Sequence, residues 1–137
     1  MTTSSLPCPF SMRPQTLHMV LWACQAGLAM FFIAAGYAKL TESMENLTVL
    51  MQWPALTSPG FVRVLGVIEL TMAVMVLTPL ISWRMGRPIL LLATSCLMAL
   101  EIIMLMLHAL DQNLGLALAN LVLLAITIPV FWFRRHV

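Results

Sequence analysis

Four apolar stretches of about 20 residues each, carrying very few ionisable side chains, restrict this chain to a small set of folds. In hydrocarbon every backbone N–H and C=O must be bonded within the protein, so stretches of this length cross as helices. They run over about 17–40, 61–83, 88–110 and 114–133. Of 137 residues, 61% are hydrophobic and 9% charged, whereas a soluble domain carries about a quarter charged residues. The reading is an all-α integral membrane four-helix bundle, one domain over 17–137 behind a flexible tail over 1–16. A net charge of +2, spread along the chain, excludes a nucleic-acid-binding footprint.

Punctuation between the stretches supports this division. Three prolines and several small polar residues mark 1–16 as the tail. Ala34-Ala35-Gly36 has the small residues of a signal-peptide cleavage site. The run before it is too long for a signal h-region, so it is read as span one. Between spans one and two, Met44, Leu47, Leu50 and Met51 recur at helical spacing among Glu42, Glu45 and Asn46. That pattern predicts a short amphipathic helix at the membrane surface, with Trp53 as its anchor at headgroup level. Pro54, Pro59 and Gly60 end it and reverse the chain. Arg84-Met85-Gly86-Arg87 reads as a tight link between spans two and three, with Pro88 in a first helical turn. Pro129 is placed to kink span four.

Arginine placement sets an orientation. Arg13, Arg84, Arg87, Arg134 and Arg135 fall on one side; Lys39, Arg63, Glu42, Glu45 and Asp111 fall on the other. The positive-inside rule puts both termini in the cytoplasm, across a cell inner membrane.

Ionisable groups inside the spans carry the functional information, because each costs at least ~2.5–3.5 kcal/mol to insert. With a rise of 1.5 Å per residue, Glu69 lies ~12 Å, Glu101 ~14 Å and Asn120 ~9 Å below the outer face. Tyr37, Lys39, Arg63 and His108 lie nearer that face. Residues seven apart on a helix point nearly the same way. Span one carries His18, Gln25, Phe32 and Lys39 at this interval, span three Thr94, Glu101 and His108, and span four Asn113, Asn120 and Thr127. Three polar stripes of this kind are expected to face a shared interior. Arg63 and Glu69 fall on different faces of span two, which argues against a direct pair.

Glu69 and Glu101 are the candidate catalytic groups. Two carboxylates at one depth repel each other, a common starting point for proton handling. Lys39, Tyr37, Arg63, His108 and Asn120 are the candidate substrate-binding groups. Architectural readings stand beside these. Asn120, Gln25, Thr94 and Thr127 serve equally as hydrogen bonds across the bundle. Lys39 and Arg63 can snorkel to the surface. An ion pair of Glu69 or Glu101 with Lys39, Arg63 or His108 can be purely structural.

Cys8, Cys24 and Cys96 form no C-x-x-C pair and no zinc spacing. No metal site is read from the chain: the twelve methionines serve as apolar filler. His18 and His108 lie at opposite faces, which argues against a haem held by both. Ala23/Gly27 and Gly115/Ala119 have small-xxx-small spacing, which suits close packing within one chain or in a homo-oligomer.

Gly36-Tyr37-Ala38-Lys39-Leu40 ends span one, and Gly66-Val67-Ile68-Glu69-Leu70 lies in span two behind a loop with Pro54 and Pro59. Ala99 and His108 follow in span three. This order, over roughly residues 20–135, resembles the DoxX-like family of small four-helix membrane proteins. The resemblance implies a four-helix bundle, with Gly36, Lys39, Leu40, Gly66 and Glu69 as motif positions. That family takes its name from a membrane subunit linked to thiosulfate:quinone oxidation, and other members are associated with thiol and oxidative-stress systems. Glu101 is outside the recognised pattern, and the lack of a cysteine pair argues against thiol exchange within this chain. The expectation is a protein of a membrane redox system, partnering an oxidoreductase subunit and binding a quinone or small hydrophobic substrate in the outer half of the bundle. The alternatives are a non-enzymatic membrane partner or assembly factor, or a small proton-coupled transporter.

Overall fold

The computed structural model describes residues 13–136. The expected tail over 1–16 falls mostly outside the described residues. Its last three residues are already helical, because Pro14 takes the first helical position, where its missing N–H is no loss.

Helix α1 spans Pro14–Thr41, α2 Met44–Met51, α3 Pro59–Val76, α4 Trp83–Leu110 and α5 Leu114–His136. Short 3₁₀ turns at Trp53–Leu56 and Thr78–Leu80 complete the fold. Four of these segments are long and apolar enough to cross a membrane, and the chain is a multi-pass integral membrane protein. Packing runs α1 on α3, α3 on α4, α4 on α5, and α5 back on α1, which closes a four-helix ring. Large apolar side chains such as Met19, Met30, Val64, Ile103 and Leu118 point outward. A bundle greasy on its outer surface as well as its core has lipid for its solvent.

Local chemistry explains the boundaries. Ser43 caps α2 by accepting from the Asn46 N–H at 3.2 Å, and Ser58 caps α3 by accepting from the Phe61 N–H at 3.4 Å. Asn113 does the same for Leu116 at the start of α5, at 3.2 Å. Gln52 and Gln112, both at positive φ, turn the chain after α2 and before α5.

The reversal between spans two and three comes earlier than the sequence reading placed it. Helix α3 ends at Val76, and 84–87 lie within α4. Pro79 is the cause: it has no N–H to continue the ladder and disfavours helical backbone at Thr78. The Thr78 hydroxyl donates back to the Met75 carbonyl at 2.7 Å. Gly86 lets this turn seat directly on α4, since a Cβ there would lie 2.5 Å from the Pro79 nitrogen. Pro88 is consequently inside α4.

The amphipathic α2 forms with Leu47 fully buried. The Trp53 indole, expected as an interfacial anchor, is turned into the protein. It is 6% exposed and packs with Leu47, Val62 and Leu65 in an outer core cluster. A larger cluster built on Leu28, Phe32, Leu90, Leu97 and Val130 fills the rest of the bundle.

Candidate functional site

The site begins with two glycines. A Cβ on Gly36 would meet the Gly66 carbonyl at 2.8 Å, and one on Gly66 would meet the Gly36 carbonyl at 2.9 Å. Only bare backbones can cross this closely, so α1 and α3 touch at this point. Lys39 and Glu69 each follow their glycine by three residues, one turn along the contacting face. The two helices run antiparallel, so these Cα atoms lie on opposite sides of the crossing. Helical side chains lean toward their own N-terminus, and here that bends each toward the other. The Lys39 ammonium donates to Glu69 Oε2 at 2.7 Å, with side chains 5% and 4% exposed. Lys39 therefore does not snorkel to the surface.

A cavity of about 240 Å³ lies against this pair. Phe31, Phe32, Leu100, Met104 and Leu123 give it an apolar wall, while Leu50, Met51 and Trp53 close one side from the α2 segment. Lys39, Glu69, His108 and Asn120 supply its polar groups. His108 is 4% exposed, and its Nδ1 has no hydrogen-bond partner among the described residues. The Asn120 amide donates to the carbonyl of Leu116 at 2.9 Å. One ion pair, one imidazole and one amide thus face an apolar chamber, a lining typical of small-molecule sites.

The remaining candidates fall elsewhere. Tyr37 is 62% exposed and outside the cavity wall, because it projects from the far side of α1. Arg63 is outside the wall too. Its guanidinium donates to the carbonyl oxygens of Lys39 and, at 2.8 Å, Glu42, satisfying the end of α1. Glu101 is fully buried between α4 and α5, where it accepts from the Thr127 hydroxyl at 2.8 Å. Its second oxygen, Oε2, is unpartnered among the described residues. The two glutamates accordingly occupy different helix seams, and the partner of Glu101 is Thr127 rather than a cation.

One buried group escaped the sequence reading. Arg134, grouped there with the terminal basic residues, is 0% exposed. Its Nε donates to Gln25 Oε1 at 2.8 Å, and its guanidinium lies between the rings of Trp22 and Trp83, 5.0 and 4.9 Å from their centroids. The signal was present: 113, 120, 127 and 134 continue one seven-residue stripe, facing the stripe of His18 and Gln25.

This contact brings the start of α1 and the end of α5 together, so all five of Arg13, Arg84, Arg87, Arg134 and Arg135 belong to one end of the bundle. No curated protein and no solved structure matches the chain. The model of the DoxX-like family matches residues 23–130, which include both glycine motifs, the ion pair and every polar residue of the cavity wall, and the chain belongs to that family.

Proposed function

We propose that this protein serves a membrane redox system by holding a quinone, or a similar small hydrophobic carbonyl compound, in the cavity beside Lys39 and Glu69. The observation that carries this reading is His108, a nearly buried imidazole that lines an apolar chamber and whose Nδ1 has no partner among the described residues. A ring carbonyl is the complement of that chamber, being flat, lipophilic and a hydrogen-bond acceptor. The cavity, at about 240 Å³, is smaller than the ~300–1,000 Å³ of drug-sized sites. It suits a single ring with its tail left in lipid. In this reading His108, Lys39 and Asn120 donate to the carbonyl oxygens, and Glu69 holds the ammonium in place and passes a proton. Glu101, in the α4–α5 seam, supports the wall instead of touching the ligand. The five arginines at one end favour a cytoplasmic placement of both termini in an inner membrane, with the cavity in the outer half.

The test is a titration of the detergent-solubilised protein with a short-tailed benzoquinone, read by tryptophan fluorescence. Saturable quenching is expected, lost on Trp53→Phe. Because a hydrogen bond to a charged group is worth ~1.5–3 kcal/mol, Lys39→Met should weaken binding at least ~10-fold. Unsaturable quenching, or equal affinity in Lys39→Met and His108→Leu, would rule the reading out.

One observation favours a second reading, a non-enzymatic membrane partner or assembly factor. The Lys39–Glu69 pair is complete without any ligand and ties α1 to α3. Under that reading Glu69→Gln lowers protein level and partner recovery, with no effect on quinone binding.

A further inference from the structure

The cavity beside Lys39 and Glu69 lies at the far end of a seam that is tied at one end only. Among the described residues, Arg134 makes every hydrogen bond that joins α1 to α5, through Gln25 and His18. Fourteen residues separate Gln25 from Lys39 along α1, and fourteen separate Arg134 from Asn120 along the antiparallel α5. At a rise of 1.5 Å per residue, Lys39 and Asn120 both stand ~21 Å from that contact, level with each other. Both line the cavity. The chamber therefore occupies the part of the α1–α5 seam that the Arg134 contacts do not reach.

Exposure separates the inner wall from the mouth. Phe32, Lys39, Glu69, His108 and Leu123 line the cavity and are each at most 9% exposed. Phe31 and Leu50 line it too, yet are 45% and 58% exposed. Ala119 is likewise an exposed lining residue, and Ala35 and Leu116 are half-buried ones. Side chains that reach both the cavity and the outside frame an opening. Phe31 and Ala35 frame it from α1, Leu116 and Ala119 from α5, and Leu50 from α2. Phe31 is ten residues from the end of α1 and Ala119 five from the start of α5, which puts them ~15 Å and ~8 Å into their spans. At that depth the opening faces hydrocarbon, and no framing side chain is polar.

We infer that the cavity is entered sideways from the bilayer, through a portal between α1 and α5, and that its ligand is a lipophile of two parts: a polar-edged ring inside and a hydrocarbon chain lying in the portal. The inference rests on the ligand-holding function proposed above and names the class of compound that the same site takes. A chamber of about 240 Å³ has room for the ring alone, so a chained ligand must leave its chain outside. Only an apolar opening lets it do so without putting hydrocarbon into water. Ala35 and Ala119 give the portal its width, because neither has a side chain beyond Cβ. The chain in the portal exchanges one apolar surrounding for another and gains little. Its role is to orient the ring and to confine the ligand to compounds dissolved in the membrane.

The experiment places the protein in phosphatidylcholine nanodiscs with a benzoquinone that carries a diazirine part-way along a decyl chain, and locates the photo-cross-links by peptide mass spectrometry. Saturable labelling is expected on the stretches around Phe31 and Ala35 and around Leu116 and Ala119, competed by benzoquinone without a chain. Ala119→Trp fills the portal from an exposed position that the core does not use, and should weaken labelling at least ~10-fold. Leu118→Trp, on the same helix at 60% exposure and outside the lining, should change nothing. Competed labelling confined to 44–57 would overturn the portal and leave the ligand-holding function standing, with entry beneath α2 instead. Labelling at the portal that chainless benzoquinone does not compete would show bilayer-type filling of a groove, and would also overturn the inference. Absence of any saturable labelling, together with unsaturable fluorescence quenching, would overturn both the portal and the function it rests on.

Discussion

Removing one partner of the Lys39–Glu69 pair should cost far more than removing both. At the observed separation of 2.7 Å and an effective dielectric of ~20, the attraction is ~6 kcal/mol. Desolvation of two buried ions, several kcal/mol each, cancels most of it. Lys39→Met or Glu69→Leu alone leaves the other group stranded and should destabilise the protein by ~3–5 kcal/mol. The double variant strands nothing and should lie within ~2 kcal/mol of the parent, a coupling of at least ~3 kcal/mol. Reversible unfolding in mixed SDS micelles, followed by far-UV circular dichroism, measures all four corners of the cycle. Quinone titration of the same four proteins then separates architecture from function. If the pair only holds α1 to α3, the double variant regains binding along with stability. If the pair contacts the ligand, binding stays lost in a stable protein. Single variants within ~1 kcal/mol of the parent, or additive effects, would refute the reasoning.

Other outcomes follow from the same contacts. Gly66→Ala drives a Cβ against the Gly36 carbonyl at 2.9 Å, and backbone cannot rotate away; a loss of ~1–3 kcal/mol in SDS unfolding is expected. Thr127→Val preserves shape but takes the hydroxyl donor from Glu101 Oε1, beside an Oε2 that already has no partner among the described residues, which should cost ~1–3 kcal/mol in the same assay. Tyr37→Phe, on the exposed side of α1, should change stability by less than ~0.5 kcal/mol and leave quinone affinity unaltered. Arg63→Gln frees the end of α1 and should speed amide exchange across 42–57 while the spans stay protected. Unchanged exchange there would show that Arg63 does not hold the α2 segment in place.

Heptad spacing made much of the buried polar interior legible before any coordinates. Lys39, Gln25, Thr94, Glu101, His108 and Thr127 all lie on the stripes it picked out, and all are buried, although of these residues only Lys39 and His108 line the cavity. Spacing within one helix cannot say which stripes meet, however. That depends on the depth at which two helices cross, and the Gly36–Gly66 contact sets it for α1 and α3. Depth counted from predicted span ends placed Asn120 beside Glu101, whereas α4 and α5 pack with Thr127 there. The turn at Thr78–Leu80 was missed because hydropathy runs on through it; only Pro79 marks the break. The burial of Trp53 was not foreseen because an indole next to a surface helix suits an exposed anchor or a core equally well. Arg134 was missed because it follows the apolar run beside another arginine, where a solvated tail is the usual outcome.

In lipid, apolar side chains lose little by facing the solvent, so greasy packing alone does not select which helices pair. Each seam of this ring accordingly carries its own selecting device. Glycine contact and an ion pair join α1 to α3; Glu101 and Thr127 join α4 to α5. Gln25 and Arg134 join α1 to α5, while the short Pro79 turn seated on Gly86 leaves α3 and α4 little choice. Of the four devices, only the ion pair also lines the cavity. A bundle needing nothing but a fold could have kept that pair away from a chamber, as it has kept Glu101. The placement of Lys39 and Glu69 in one wall with His108, whose Nδ1 has no partner among the described residues, is therefore what makes this seam, and not the other three, the place to look for chemistry.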